Sequence, residues 1–191
     1  KLFVWEKDGF VYVCNKSGAN YVKQTTPVID LTAEVLNWRD HGLMGFALDP
    51  DFATNGFIYL LYIVDRRFLM NDNSIVADEG HRATIARLTK YKTILSGGNL
   101  LVDPSTRTIL IGESPSTGIP AIHEAHVIGS LAFAADGTLL VSTGDGASYY
   151  LMDAGSDSDT YWEGGLADGI IRPAENVGAF RAQILNCHNG K

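Results

Sequence analysis

Apolar residues recur along the chain in strand-length runs that meet at turns marked by glycine. The first run spans Lys1 to Val13 and turns at Asp8-Gly9. Phe10 and Tyr12 alternate with Val11 and Val13, so both faces are apolar, which predicts a strand buried on both sides. The second comprises Gly45-Phe46-Ala47-Leu48, a turn from Asp49 to Gly56, and Phe57 to Val64. The third comprises Gly129 to Phe133, a turn at Asp136-Gly137, and Thr138 to Ser142. Asn55-Gly56 and Asp136-Gly137 supply the positive φ of tight turns, and the β-branched and aromatic flanks suit a packed, pleated surface. These segments are predicted β-hairpins, and the last two share one layout.

Recurring hairpins without a long amphipathic helix point to an all-β fold. Radial repetition of such units limits exposed sheet edges, which favours a propeller over a sandwich. Thr32 to Trp38 is compatible with one or two helical turns, and Leu166 to Arg172 is ambiguous between helix and strand. Two polar connections, Asp65 to Arg82 and Ser148 to Gly165, exceed ordinary hairpin loops and are candidate functional insertions.

Composition changes the picture mainly by exclusion. The 191 residues are 46% hydrophobic with 20 glycines, as expected of a chain with a sizeable core. The net charge is −7, and lysines and arginines are scattered rather than gathered into a stripe, which argues against a nucleic-acid partner. No apolar run approaches the roughly 18 to 20 residues needed to cross a bilayer, so no membrane-spanning segment is expected. The stretch holding Asp153, Asp157, Asp159, Glu163 and Asp168 carries no lysine or arginine from first to last. It reads either as a solvated acidic loop or as a cation site with Asp153, Asp157 and Asp159 as candidate metal ligands. Cys14 and Cys187 lie far apart and outside any C-x-x-C pair; a long-range disulfide and a small buried thiol both remain open. The chain opens at Lys1 to Trp5 already in a strand pattern and stops at Asn189-Gly190-Lys191 without a terminal element. Residues 1–191 are therefore expected to be part of a domain cut at both ends.

Chemically able residues are densest at His123-Glu124-Ala125-His126, directly before the third hairpin, with Gly144-Asp145-Gly146 directly after it. In a hairpin turning at Asp136-Gly137, residues near 126 and 145 meet at the opposite end. A carboxylate at Asp145 would hold His126 in one tautomer and leave its other nitrogen to take a proton from a substrate hydroxyl. The alternative is a histidine that closes a strand end by hydrogen bonding. His123 reads as a supporting residue. Trp38-Arg39-Asp40-His41 precedes the second hairpin as His123 to His126 precedes the third, so Asp40 and His41 are candidate pocket residues if equivalent loops converge. The motifs of zinc hydrolysis, serine hydrolysis and nucleotide binding are absent from the sequence.

Asp40 through Phe52, continuing through Asn55-Gly56-Phe57-Ile58-Tyr59, resembles the glucose/sorbosone dehydrogenase family. Ala86 to Tyr91 and the run from His126 through Gly129, Asp136-Gly137 and Gly144-Asp145-Gly146 agree. The resemblance implies a six-bladed β-propeller of which residues 1–191 are the N-terminal portion, the remainder of the propeller being missing. It also implies a secreted, periplasmic or extracellular protein. Soluble sugar dehydrogenases of the family hold pyrroloquinoline quinone (PQQ) with calcium over the central channel, oxidise a sugar or related alcohol and pass electrons to an external acceptor. His126 occupies the place of the family's catalytic histidine and Asp145 that of its supporting aspartate. Asp40, His41 and Tyr149 fall where substrate contacts are expected. Three departures stand out: Ala125 replaces an aspartate common before the histidine, Asp40 lies near a family glutamine, and Tyr149-Tyr150 replaces more polar residues. The cations and calcium loop that clamp the quinone are expected on later blades. The competing expectation is a non-catalytic propeller that binds glycan or protein.

Overall fold

The computed structural model describes residues 1–144, 164–165 and 167–170. The strands are antiparallel and form three sheets in chain order. In the first, β1 (Leu2–Trp5) pairs with β2 (Phe10–Ser17), whose other edge takes β3 (Asn20–Lys23) and then β4 (Ile29–Asp30). The second is a meander of β5 (Leu43–Leu48), β6 (Phe57–Ile63), β7 (Thr84–Ser96) and β8 (Asn99–Ile111), with β9 (Ile119–Ala121) continuing the outer edge of β7. The third joins β10 (Ile128–Phe133) to β11 (Leu139–Thr143). Short helices α1 (Phe52–Asn55) and α2 (Arg66–Met70) lie in the connections after β5 and β6.

The period-two alternation of β6 explains why the sheets stack. Ile58, Leu60 and Tyr62 pack with Val11 and Val13 of the first sheet. Leu61, on the opposite face, packs with Ala47, Leu88 and Leu131, the last from the third sheet. The second sheet is thus buried on both faces between its neighbours, each buried aliphatic side chain contributing roughly 1.5–3 kcal/mol relative to exposure. Ile63 closes a third cluster with Leu36, Ala86, Ala121 and Val127 beneath the loops described below.

The three predicted hairpins are present. Gly137 at φ 85° turns the third, and Asp136 Oδ1 accepts a 2.9 Å hydrogen bond from Thr138 N. The second is closed by Asp49, which accepts from Asn55 Nδ2 at 2.7 Å and from the Tyr59 hydroxyl at 3.0 Å. The Asn55 hydrogen bond leads the interactions that hold the Asp49 carboxyl below its ordinary range, and burial first and Asp49 second push the Tyr59 phenol up to about 12. The Asp49-Pro50-Asp51-Phe52 segment is therefore a turn-building element. Two local expectations differ. On β2 only Val11 and Val13 are fully buried, Phe10 and Tyr12 being half-buried. Residues 32–38 form turns instead of a helix, because Val35 bridges Val64 and Leu36 N donates to Ile63 O. Cys14 is a half-buried free thiol on β2, and Cys187 lies outside the described residues.

Candidate active site

Three connections converge where the chain enters β5, β7 and β10. The first, residues 34–42, is stitched to the second sheet by Leu36 N donating to Ile63 O at 2.9 Å and Asp65 N donating to Glu34 O at 2.7 Å. Its far end is pinned to the first sheet's hairpin turn, where Leu43 N donates to Lys7 O at 2.8 Å and the Lys7 ammonium donates to Arg39 O. The second connection, 65–82, is clamped to the first through one aspartate pair. Asn37 N donates to Asp78 Oδ1 at 2.7 Å, and Asp78 N donates to Asp65 Oδ2 at 2.6 Å. Asp65 also caps α2 by accepting from Arg67 N, so a single carboxylate orders both ends of that connection.

The third connection, 122–127, docks on the first. His41 and His123 are both buried, and His41 Nε2 lies 2.9 Å from the His123 carbonyl oxygen. A carbonyl only accepts, so Nε2 carries the proton. Arg39 reaches Glu124 at 3.8 Å across the same seam. Burial pushes the His41 pKa down to about 4, with the His123 carbonyl and Asp40 opposing. Burial is also the largest influence lowering His123, followed by Glu124 in opposition and by the charges of His126 and His81. His41 is therefore a neutral strut beneath the site.

The depressed His41 pKa makes the fold acid-sensitive in a defined window. Above about pH 6.5 both folded and unfolded states hold this ring neutral. As the pH falls from there to about 4, only the unfolded state takes the proton, and stability drops by about 3 kcal/mol. His123, lowered in the same sense, adds to the loss. Urea denaturation of the intact protein near neutral pH and near pH 4.5 checks this: the loss is smaller in His41→Gln than in the unmutated protein, whereas equal losses contradict it.

His126 is exposed, with φ 59° in the left-handed region, between Ala125 (2% exposed) and Val127 (5% exposed). Burial of both neighbours and the turned backbone leave the ring on the surface. A non-glycine residue held there costs roughly 1–3 kcal/mol, so surrounding structure must enforce it. Gly144 supplies part of that enforcement. Its N–H donates to Val127 O at 3.0 Å, and a Cβ on it would lie 2.2 Å from the His126 carbonyl oxygen. Gly144→Ala consequently has to displace His126 or the hairpin. We expect a loss of about 1–3 kcal/mol in stability. A urea denaturation curve measures it, and unchanged stability would contradict the placement.

The anticipated convergence of residues 38–41 with residues 123–126 is thus present in the His41 and Arg39 contacts, and His126 meets Gly144 at the open end of the third hairpin. Asp40 is exposed at the rim, next to the buried His41. Ala125 is buried beside the exposed His126. Asp145, Tyr149, Asp153, Asp157 and Asp159 lie outside the described residues. Sequence reading missed His81, whose ring meets Trp38 edge-on at 5.0 Å. Its only signal was membership of the overlong 65–82 connection. Also missed was the buried carboxylate of Glu34, which accepts from the Tyr62 hydroxyl at 2.7 Å, from Arg87 at 2.6 Å and from Arg107.

Residues 1–161 match the family model described as Glucose / Sorbosone dehydrogenase. A solved structure named glucose dehydrogenase superposes with a TM-score of 0.52 at 18% identity, over 76% of this chain and 35% of that one. A second, described as a crystal structure of glucose dehydrogenase, gives the same values, a TM-score of 0.52 at 18% identity over 76% and 35% of the two chains. The soluble aldose sugar dehydrogenase of Escherichia coli, in its apo form, is 21% identical with a TM-score of 0.47, over 76% of this chain and 35% of that one. The chain therefore spans about a third of the length of these solved structures, and the first two likenesses identify its antiparallel sheets as part of a propeller. With its family model matched over most of its length, the chain belongs to the glucose/sorbosone dehydrogenase family.

Proposed function

We propose that residues 1–191 form the N-terminal portion of a complete propeller that oxidises a sugar or related alcohol, with His126 as the proton acceptor. The observation that carries this reading is His126 itself: an exposed imidazole in an αL backbone that buried neighbours and Gly144 enforce. Oxidation of a CH–OH group removes two electrons and two protons. The hydroxyl proton passes to a ring nitrogen of His126, and the carbon-bound hydrogen leaves as hydride. Asp145, following Gly144 in the chain, is the proposed partner that orients the imidazole. Asp40 and Tyr149 are proposed rim contacts for substrate. His41 is buried and positions the His123 to His126 loop through the His123 carbonyl instead of touching sugar.

The proposed hydride acceptor is PQQ held with calcium, which when bound supplies the two-electron oxidant, later reoxidised by an external acceptor. Among the described residues no group of three or more His, Cys, Asp or Glu side chains is placed to hold a metal ion. The cation at the three-loop seam, Arg39, faces Glu124. We assign the quinone and calcium clamp to the remainder of the propeller, as the family resemblance implies. A secreted or periplasmic location is proposed with the same reading; among the described residues, no helix is long and apolar enough to cross a membrane.

The test uses the full-length protein loaded with PQQ and calcium and a panel of aldoses and polyols, followed by dye reduction. Sugar-dependent reduction supports the proposal. Saturable sugar binding without reduction would replace it by a glycan-binding propeller.

A further inference from the structure

The proposed mechanism leaves unused the long connection of residues 65–82, which exceeds an ordinary hairpin loop. Residues 78–82 do not drift over the surface; they are docked on Trp38. Gly80 lies so close to the indole that a Cβ there would come within 2.5 Å of the ring. Asp78 is tied to Asn37, in the segment that carries Trp38, and to Asp65. The clamp delivers His81, exposed and at φ 64°, edge-on to the Trp38 ring at 5.0 Å and 69°. Arg39, at φ 52°, places its guanidinium 5.3 Å from the same indole. Left-handed non-glycine backbone thus occurs in each of the three converging connections: at Arg39 in the first, at Asn71, Asp78 and His81 in the second, and at His126 in the third. Strained residues gathered at one rim mark a site more readily than a packing solution, because each costs free energy that a simple loop would avoid.

The chemistry of the patch fits a polyhydroxylated ligand. Trp38 is half-buried at the rim, and His81 and Arg39 offer polar groups beside its ring for hydroxyls. The two exposed histidines stand on different connections, and an electrostatic interaction with each contributes to lowering the pKa of the buried His123.

We propose that Trp38 and His81 form the sugar-binding wall of the site, His81 hydrogen-bonding a substrate hydroxyl that is not the one oxidised. This rests on the sugar reading of the site but not on His126 acting as base. His81 is then a specificity residue: its loss weakens binding without removing the proton acceptor. A site that hydrogen-bonds a hydroxyl also discriminates against the analogue lacking it, because its polar group is left unpaired.

Sugar binding is read in the intact protein without quinone by isothermal titration with the best aldose and its monodeoxy analogues, and turnover is read in the loaded protein. In His81→Ala the sugar Kd and KM rise by about tenfold or more, kcat stays within about threefold, and one deoxy analogue that bound poorly becomes equal to the parent sugar. His81→Gln, which keeps a donor, restores part of the affinity. Because His81 is exposed, loss of fold is not expected, and Gly80→Ala gives an independent check by pushing the connection off Trp38 with the same rise in Kd. If His126→Ala abolishes turnover while the His81 variants leave Kd, KM and analogue preference unchanged, the wall is overturned and the base stands. If sugar binding falls in the His81 variants but His126→Ala keeps full turnover, the wall stands and the base is overturned. Failure of the unmutated protein to bind any sugar overturns the wall as well.

Discussion

Replacing His126 lowers sugar turnover of the loaded, full-length protein by about a hundredfold to ten-thousandfold, the range commonly supplied by a positioned proton acceptor. The fold survives the change, because His126 is exposed and its removal empties no core site. The choice of variant matters at φ 59°. Asparagine tolerates the left-handed backbone, keeps a hydrogen-bonding side chain and cannot accept a proton near neutral pH, so His126→Asn separates basicity from shape. The expected signature is a fall in kcat with KM little changed, and partial rescue of His126→Ala by added imidazole. Turnover in His126→Asn within a few-fold of the unmutated protein would contradict the assignment.

The second large effect is on stability. Glu34→Gln destabilises the protein by about 3–5 kcal/mol, the cost of breaking a buried ion pair from one side. Glu34 and Arg87 side chains are each 5% exposed, Arg107 is 28% exposed, and both guanidinium groups meet the same carboxylate oxygen. Burial foremost, and then Glu34, raise the Tyr62 phenol well above its ordinary value, which keeps it protonated as the third donor. Removing the carboxylate leaves two cations facing each other with no anion between them, while Arg87 stays tethered to Gly112 O at 2.7 Å. Arg107→Met is the informative contrast, since it leaves a balanced Glu34 and Arg87 pair and costs markedly less. Urea denaturation gives both values; a loss below about 1 kcal/mol for Glu34→Gln would contradict the network's role. The site also feels this change, because Glu34 O accepts from Asp65 N and begins the segment that carries Trp38 and His41.

The features legible in the sequence were those with local signals. Asp136-Gly137 and Asn55-Gly56 announced hairpins because turn chemistry lies within a few residues, and the parallel placement of residues 38–41 and 123–126 before their hairpins anticipated their meeting. What escaped depended on distant partners. The β7 and β8 hairpin places Arg87, Thr89 and Tyr91 in the interior beside Lys90 and Lys92, so no clean alternation marks it, although Gly97-Gly98 sits at its turn. Arg87 is tolerable in a core only because Glu34, 53 positions away, pairs with it. Residues 32–38 carried a weak helical pattern that strand-end pairing with Ile63 and Val64 overrode. His81 belonged to no motif, and only the docking of Gly80 on Trp38 brings it to the rim. Asp145 was placed by the hairpin geometry and by resemblance and Tyr149 by resemblance; both fall outside the described residues, so their roles stand as proposals.

Central to this account is that His126 takes the proton as the sugar is oxidised. The most direct measurement is rapid mixing of sugar with the PQQ- and calcium-loaded full-length protein, following the quinone absorbance in a single turnover for the unmutated chain and for His126→Asn. The account predicts fast, sugar-dependent bleaching in the first, and in the second a rate at least about a hundredfold lower at saturating sugar. Equal rates in the two proteins would contradict it.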